Sequence, residues 1–230
     1  MLTQATDSAG IPNHWPKQGS RGRRSIERGS PGGVIELVGT PTSFARNAEI
    51  YGEKEPADYI YRVVSGAVRT YKILIDGRRQ ITAFYLPGDT FGLEAGQDHA
   101  FSAEAVTDAK VLVIRRSLVI ALAERDARVA SQLWMLSGRE LQRAQNQVLL
   151  LARTAPERVA SFLLEMAERI ECDEEVELPM SRQDVADYLG LTIETVSRML
   201  TRLENASAIS LPTSKRIVLR NPSALRRLNA

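Results

Sequence analysis

Glu194 and Arg198 stand four residues apart, with Ser197 between them. On a helix that spacing puts a carboxylate and a guanidinium on one face. An arginine so placed can give a bidentate pair to guanine O6 and N7, and a glutamate can accept from cytosine N4. Arg198 also offsets the repulsion that a lone glutamate would feel near phosphates. The competing reading is an intrahelical ion pair worth only about 0.2–0.5 kcal/mol. Thr195 shares the same exposed turns, while Thr201 and Arg202 lie one turn further on, better placed for phosphate than for bases.

The flanking residues favour base reading. Ser181 followed by Asp184 has the spacing of a capping box and starts a helix at Arg182. Val185, Ala186 and Leu189 form its inner face, and Gly190 can take the left-handed conformation that ends it. Thr192 is a suitable N-cap for a second helix, whose buried side is Val196, Leu200 and Leu203. Two short helices joined by a glycine-containing turn make a helix-turn-helix, and a B-form major groove admits one helix. Beyond it, the apolar stretches 208–211 and 216–220 flank a polar turn carrying Lys215 and Arg216. They read as a small hairpin wing whose cations would touch the sugar–phosphate backbone, adding affinity and salt dependence without sequence information.

Upstream, the period of the apolar residues is two, punctuated by glycine. Residues 59–64 reach a turn at Ser65-Gly66. Residues 67–75 then run into Asp76-Gly77, which reads as a two-residue hairpin turn, and 78–86 return as the partner strand. A last strand covers 110–115. Short strands at this spacing suggest an antiparallel roll over residues 34–116.

From 117 to 152 the period becomes helical, with Gly138 the one glycine and no proline. With position a at Trp134, Leu141 and Val148, position d falls at Ser137, Ala144 and Leu151. This stripe supports a dimerisation helix, the alternative being that it packs on the roll. A homodimer also suits the chemistry, because two reading helices must enter successive major grooves of a palindromic site. Residues 155–170 form a further helix opened by Pro156. The stretch 171–177, with five acids, reads as a solvated loop, the alternative being a surface for a basic partner. The expected fold is therefore α+β: a β-roll, a long dimerisation helix, and a winged helix-turn-helix over 153–230.

Composition narrows the function classes. One cysteine, Cys172, permits neither an intrachain disulfide nor an iron–sulfur cluster, and two histidines, His14 and His99, exclude a multi-histidine metal site. No cofactor and no metal are expected, and a cupin-like metal enzyme would want more histidines than this roll has. Cys172 sits among acids that disfavour its thiolate, although a redox switch near the helix-turn-helix is worth weighing. No apolar run approaches the ~20 residues a bilayer needs, so no membrane association and a cytoplasmic location are expected. Residues 1–33 hold six Gly, three Pro, four Ser and five Lys/Arg, a basic arm that either stays solvated or touches nucleic acid.

The order of roll, long helix and winged helix-turn-helix resembles the Crp/Fnr transcription regulators over about residues 34–230. Its most specific part is the run LGLTIETVSR from Leu189 to Arg198. Glu194, Ser197 and Arg198 are similar to the Fnr-type recognition helix, whereas the cyclic-AMP receptor differs at Ile193 and Ser197. The resemblance implies a TTGA-type inverted repeat, base contacts by Glu194 and Arg198, and a thymine contact by Ser197. Gly88 to Glu94 resembles the start of a cyclic-nucleotide cassette. Phe101-Ser102, however, stands where cassette members carry Arg followed by Ser or Thr, and Lys110 is the only Lys or Arg between Arg79 and Arg115. A cyclic phosphate would lie uncompensated among acids, so cyclic AMP is not expected. What remains looks like the FixK branch, which implies an activator of low-oxygen genes working with RNA polymerase. A different small-molecule effector in the roll stays open.

Overall fold

The computed structural model describes residues 39–170 and 175–228. Both the N-terminal arm and Cys172 lie outside the described residues. Eight strands come first: β1 (Thr40–Phe44), β2 (Glu49–Tyr51), β3 (Tyr59–Ser65), β4 (Val68–Ile73), β5 (Arg79–Tyr85), β6 (Thr90–Phe91), β7 (Ser102–Ala105) and β8 (Ala109–Arg115). They make two antiparallel four-stranded sheets, ordered β1-β8-β3-β6 and β2-β7-β4-β5. This is the expected roll. Its interior is aromatic and small: Tyr61 stacks on Phe91 at 5.1 Å, and Tyr51, Val63, Val68, Ala103 and Val111 fill around them. Gly66, at φ +80°, admits no side chain, because a Cβ there would lie 2.3 Å from the Asp108 carbonyl oxygen.

The β4–β5 turn differs from expectation. The Leu74 carbonyl accepts from the Gly77 N–H at 2.9 Å and the Leu74 N–H donates to the Arg78 carbonyl at 2.8 Å, enclosing three residues instead of two. Only Gly77 has positive φ, so Asp76 is free of the strain a two-residue turn would impose. The Asp76 carboxylate instead accepts from the Arg78 N–H.

The expected single helix over 117–152 is two helices, α1 (Arg116–Ala123) and α2 (Ala127–Leu151). Asp126 is extended and its carboxylate accepts from the Arg128 N–H, so it caps a new start. The break lets Val119 and Val129 both bury against Ile60 and Ile114 before α2 leaves the roll. Helix α3 (Ala155–Arg169) follows, opened by Pro156 and by the Glu157 carboxylate, which accepts from the Thr154 N–H.

The acidic stretch is also not wholly a loop. Residues Glu175–Glu177 form β9, which pairs with β11 (Arg216–Leu219); β11 in turn pairs with β10 (Ile209–Ser210). The wing is a three-stranded sheet because Val176, 1% exposed among its acids, packs opposite Ile217. One apolar core continues from the roll into this C-terminal part. Phe84 of β5 lies 6.4 Å from Phe162 of α3 and 5.2 Å from Tyr188.

Candidate nucleic-acid interface

Helix α4 (Arg182–Leu189) begins as expected. The Ser181 hydroxyl accepts from the Asp184 N–H at 3.1 Å, and the Asp184 carboxylate accepts from the Ser181 N–H at 3.0 Å. Gly190 ends it at φ +61°. The Thr192 hydroxyl then accepts from the Thr195 N–H at 3.2 Å and starts α5 (Ile193–Asn205). Val196, Leu200 and Leu203 are buried, which leaves the opposite face of α5 to solvent.

That face carries Glu194, Arg198, Thr201 and Arg202, all exposed, with Thr195 and Ser197 half-buried beside them. No ion pair joins Glu194 to Arg198 among the described residues; Arg198 donates instead to the Thr195 hydroxyl at 3.2 Å. The Glu194 carboxyl is held below its ordinary value by its own backbone N–H, then by the Thr192 hydroxyl and the Arg198 charge. It stays an anion and an acceptor at neutral pH. A ready acid and a ready guanidinium therefore face outward from the first turns of a capped helix.

The wing is less free than expected. Arg216 pairs with Glu175 on the neighbouring strand, so a phosphate would have to compete with that carboxylate. The Lys215 ammonium reaches the Pro179 carbonyl at 3.5 Å, a weak contact easily given up.

Sequence reasoning did not single out the residues that hold α4. The Asp184 carboxylate also accepts from Arg69 of β4 at 2.9 Å and from Arg79 of β5 at 2.7 Å. At the other end, Gln80, Gln147 and Arg158 donate to its last carbonyls. Arg69 stands between Val68 and Thr70 in a strand, and nothing in that local pattern names its partner on α4.

On α2, Trp134, Leu141 and Val148 are 81%, 61% and 69% exposed, joined by Met135 and Leu149. Ala144 is exposed as well and also borders a cavity, whereas Leu151 is half-buried near Gly190. That cavity, about 390 Å³, lies between the roll and α2 and is lined by Tyr51, Tyr85, Glu94, Phe101, Glu140, Arg143 and Gln147 among others. Its one guanidinium is engaged by Glu140 at 2.6 Å and Asp89 at 3.0 Å. The Ser102 hydroxyl accepts from the Glu53 N–H at 2.9 Å. His99 is buried and stacked on Tyr51 at 3.6 Å, with Glu94 3.2 Å from its Nδ1.

Comparison with known proteins agrees with this geometry. Residues 41–126 match a cyclic nucleotide-binding domain and 157–228 a Crp-like helix-turn-helix domain. The nitrogen fixation regulation protein FixK of Azorhizobium caulinodans is 52% identical over 95% of this chain and 90% of its own. The transcriptional activatory protein AadR of Rhodopseudomonas palustris is 41% identical over 76% of this chain and 75% of its own. The solved structure of FixK2 from Bradyrhizobium japonicum superposes with a TM-score of 0.81 at 51% identity, covering 84% of this chain and 98% of that one. The chain belongs to the Crp/Fnr family of transcription regulators, with FixK proteins among its relatives, and is not an enzyme.

Proposed function

We propose that the chain is a homodimeric activator that binds a TTGA-type inverted repeat and controls low-oxygen respiratory or nitrogen-fixation genes with RNA polymerase. The carrying observation is the exposed pair of Glu194 and Arg198, unpaired with each other, at the capped start of α5. In this reading Glu194, Ser197 and Arg198 read bases. Thr195, Thr201, Arg202, Lys215 and Arg216 serve the backbone, and Ser181 and Thr192 support them as caps. The names of FixK and AadR support the gene class and the activating role.

Dimerisation is supported by the exposed apolar stripe of α2, since a run containing Trp134, Leu141 and Val148 is costly in water. The roll-like, helical and winged segments are taken to run 34–116, 117–152 and 153–230. No described helix is long and apolar enough to cross a membrane, which fits a cytoplasmic regulator.

Independence from cyclic AMP is supported by the cavity, whose one guanidinium, Arg143, is already shared by Glu140 and Asp89 while Glu94 adds a further carboxylate to the lining. Independence from an iron–sulfur cluster is supported by the single cysteine. A second reading gives the same cavity a different effector. It is favoured by Gln147, 9% exposed, whose side-chain carbonyl has no partner there. Selecting bound sequences from random DNA, at two salt concentrations and with no added ligand, tests the proposal. Enrichment of TTGA half-sites is expected; no enrichment without a cell extract would favour the second reading.

A further inference from the structure

Helix α4 is gripped at both ends by side chains from outside the helix-turn-helix. At its start, Asp184 Oδ1 accepts from Arg69 Nη1 at 2.9 Å and Arg79 Nη2 at 2.7 Å, while Oδ2 caps the helix at Ser181. Arg69 is itself held by Glu104 at 2.9 Å. Both Arg69 and Asp184 are buried, 6% and 4% exposed, so their directions are set by hydrogen bonds and not by solvent.

The last carbonyls of a helix lack donors within it. Here three neighbouring elements supply them. Gln80 of β5 donates to the Asp187 carbonyl at 2.7 Å, Gln147 of α2 to Tyr188 at 2.8 Å, and Arg158 of α3 to Leu189 at 2.8 Å. Arg158 then spends its other nitrogens on the end of α2: Nη2 on the Leu151 carbonyl at 2.7 Å and Nε on Arg153 at 2.8 Å. One planar fork thus ties the end of the long helix to the end of α4. A lysine ammonium, with its single compact head, cannot span three carbonyls in fixed geometry.

We propose that Arg69 and Arg158 are positioning residues, which set the angle of the helix-turn-helix on the roll and so place α5 without any ligand. The inference rests on the DNA-binding reading above. Removing Arg158 leaves three carbonyls without that donor, and removing Arg69 leaves Asp184 tied to the roll by Arg79 alone; either frees the orientation of α4, while the apolar cores stay filled.

Spin labels at Ser43→Cys on β1 and Ser223→Cys in the exposed first turn after Asn221, in a Cys172→Ser background, read that orientation as a distance distribution. Labelled full-length chain is diluted in excess unlabelled chain, so that distances within one chain dominate. The parent is expected to give one narrow distribution. Arg158→Gln and Arg69→Gln are expected to broaden or shift it, to lower affinity for a TTGA duplex about tenfold, a typical coupling between sites, and to leave affinity for scrambled DNA unchanged. Arg69→Lys, which keeps the charge on Asp184, is expected to restore most of the narrow distribution. If Arg158→Gln does not unfold cooperatively, Arg158→Lys, which keeps the charge but cannot span the three carbonyls, decides instead. Parent-like distances in the variants that fold would overturn the proposal, as would broadened distances with parent-like affinity for the TTGA duplex. The distances are read without DNA, so a parent that ignores TTGA contradicts the DNA reading alone.

Discussion

Arg69 and Asp184 are 115 residues apart in the chain, and their side chains meet at 2.9 Å with almost no solvent around them. One carboxylate thereby caps the first helix of the helix-turn-helix and joins it to the roll. Asp184→Ala removes both functions. Only the Asp184 half of the capping box is lost, at about 0.5 kcal/mol, the low end for a cap, because the Ser181 hydroxyl still accepts from the N–H of residue 184. Breaking the buried pair adds about 3 kcal/mol, the lower end of its usual range, because Arg69 keeps Glu104. Asp184→Asn, which retains acceptors for the cap, should lose less. Urea unfolding midpoints of the three proteins check the order.

Arg198→Ala is expected to weaken binding to the specific duplex by about 1–3 kcal/mol and to relax preference at one guanine. Lys215→Ala should instead weaken specific and random duplexes alike and lower the slope of log affinity against log salt by about one. Gel-shift titrations at several salt concentrations separate the two. Equal losses for Arg198→Ala on both duplexes would remove its base-reading role.

Leu141 is 61% exposed in a single chain, so a lysine there leaves the fold intact. Across a two-fold helix pair, however, Leu141→Lys brings like charges together in an apolar seam. Sedimentation should show monomers, and affinity for the inverted repeat should fall roughly a hundredfold as bivalent binding is lost. A variant that remains dimeric would place the interface elsewhere.

Much of this was legible from residue pattern, and what was not has identifiable causes. The helix-turn-helix announces itself because caps, glycine and apolar period agree within a short window, Ser181 to Leu203. Strands β2, β6 and β7 are two to four residues long, too short for an alternation to register. Strand β9 was hidden because three of the five residues from Glu174 to Leu178 are glutamates, and their charge dominates the local composition. The break at Asp126 needed the knowledge that Val119 and Val129 share one pocket on the roll. The clamp on α4 was invisible for a stronger reason. Its donors come from β4, β5, α2 and α3, and nothing in a linear pattern says that these meet.

Alkaline pH should unfold the protein through its tyrosines. Burial, followed by the Glu94 charge, pushes the Tyr61 phenol up to about 12 from its ordinary 10.0. Burial raises Tyr51, Tyr85 and Tyr188 in the same direction. Between those two pH values the unfolded chain has released protons that the folded chain still holds, so stability falls as pH rises through the window. Tyrosinate absorbance and far-ultraviolet circular dichroism should then change together above about pH 10. Tyrosinate forming early, with the fold intact, would show that these rings are not held in the core.

The central claim is that α5 presents Glu194 and Arg198 to base pairs without help from a ligand. Titration of the purified, ligand-free chain onto a duplex bearing a TTGA inverted repeat, against a scrambled duplex at physiological salt, tests it most directly. Binding at least ~10³-fold tighter to the repeat is expected, the usual margin of a specific regulator. Equal affinity for the two duplexes would contradict it.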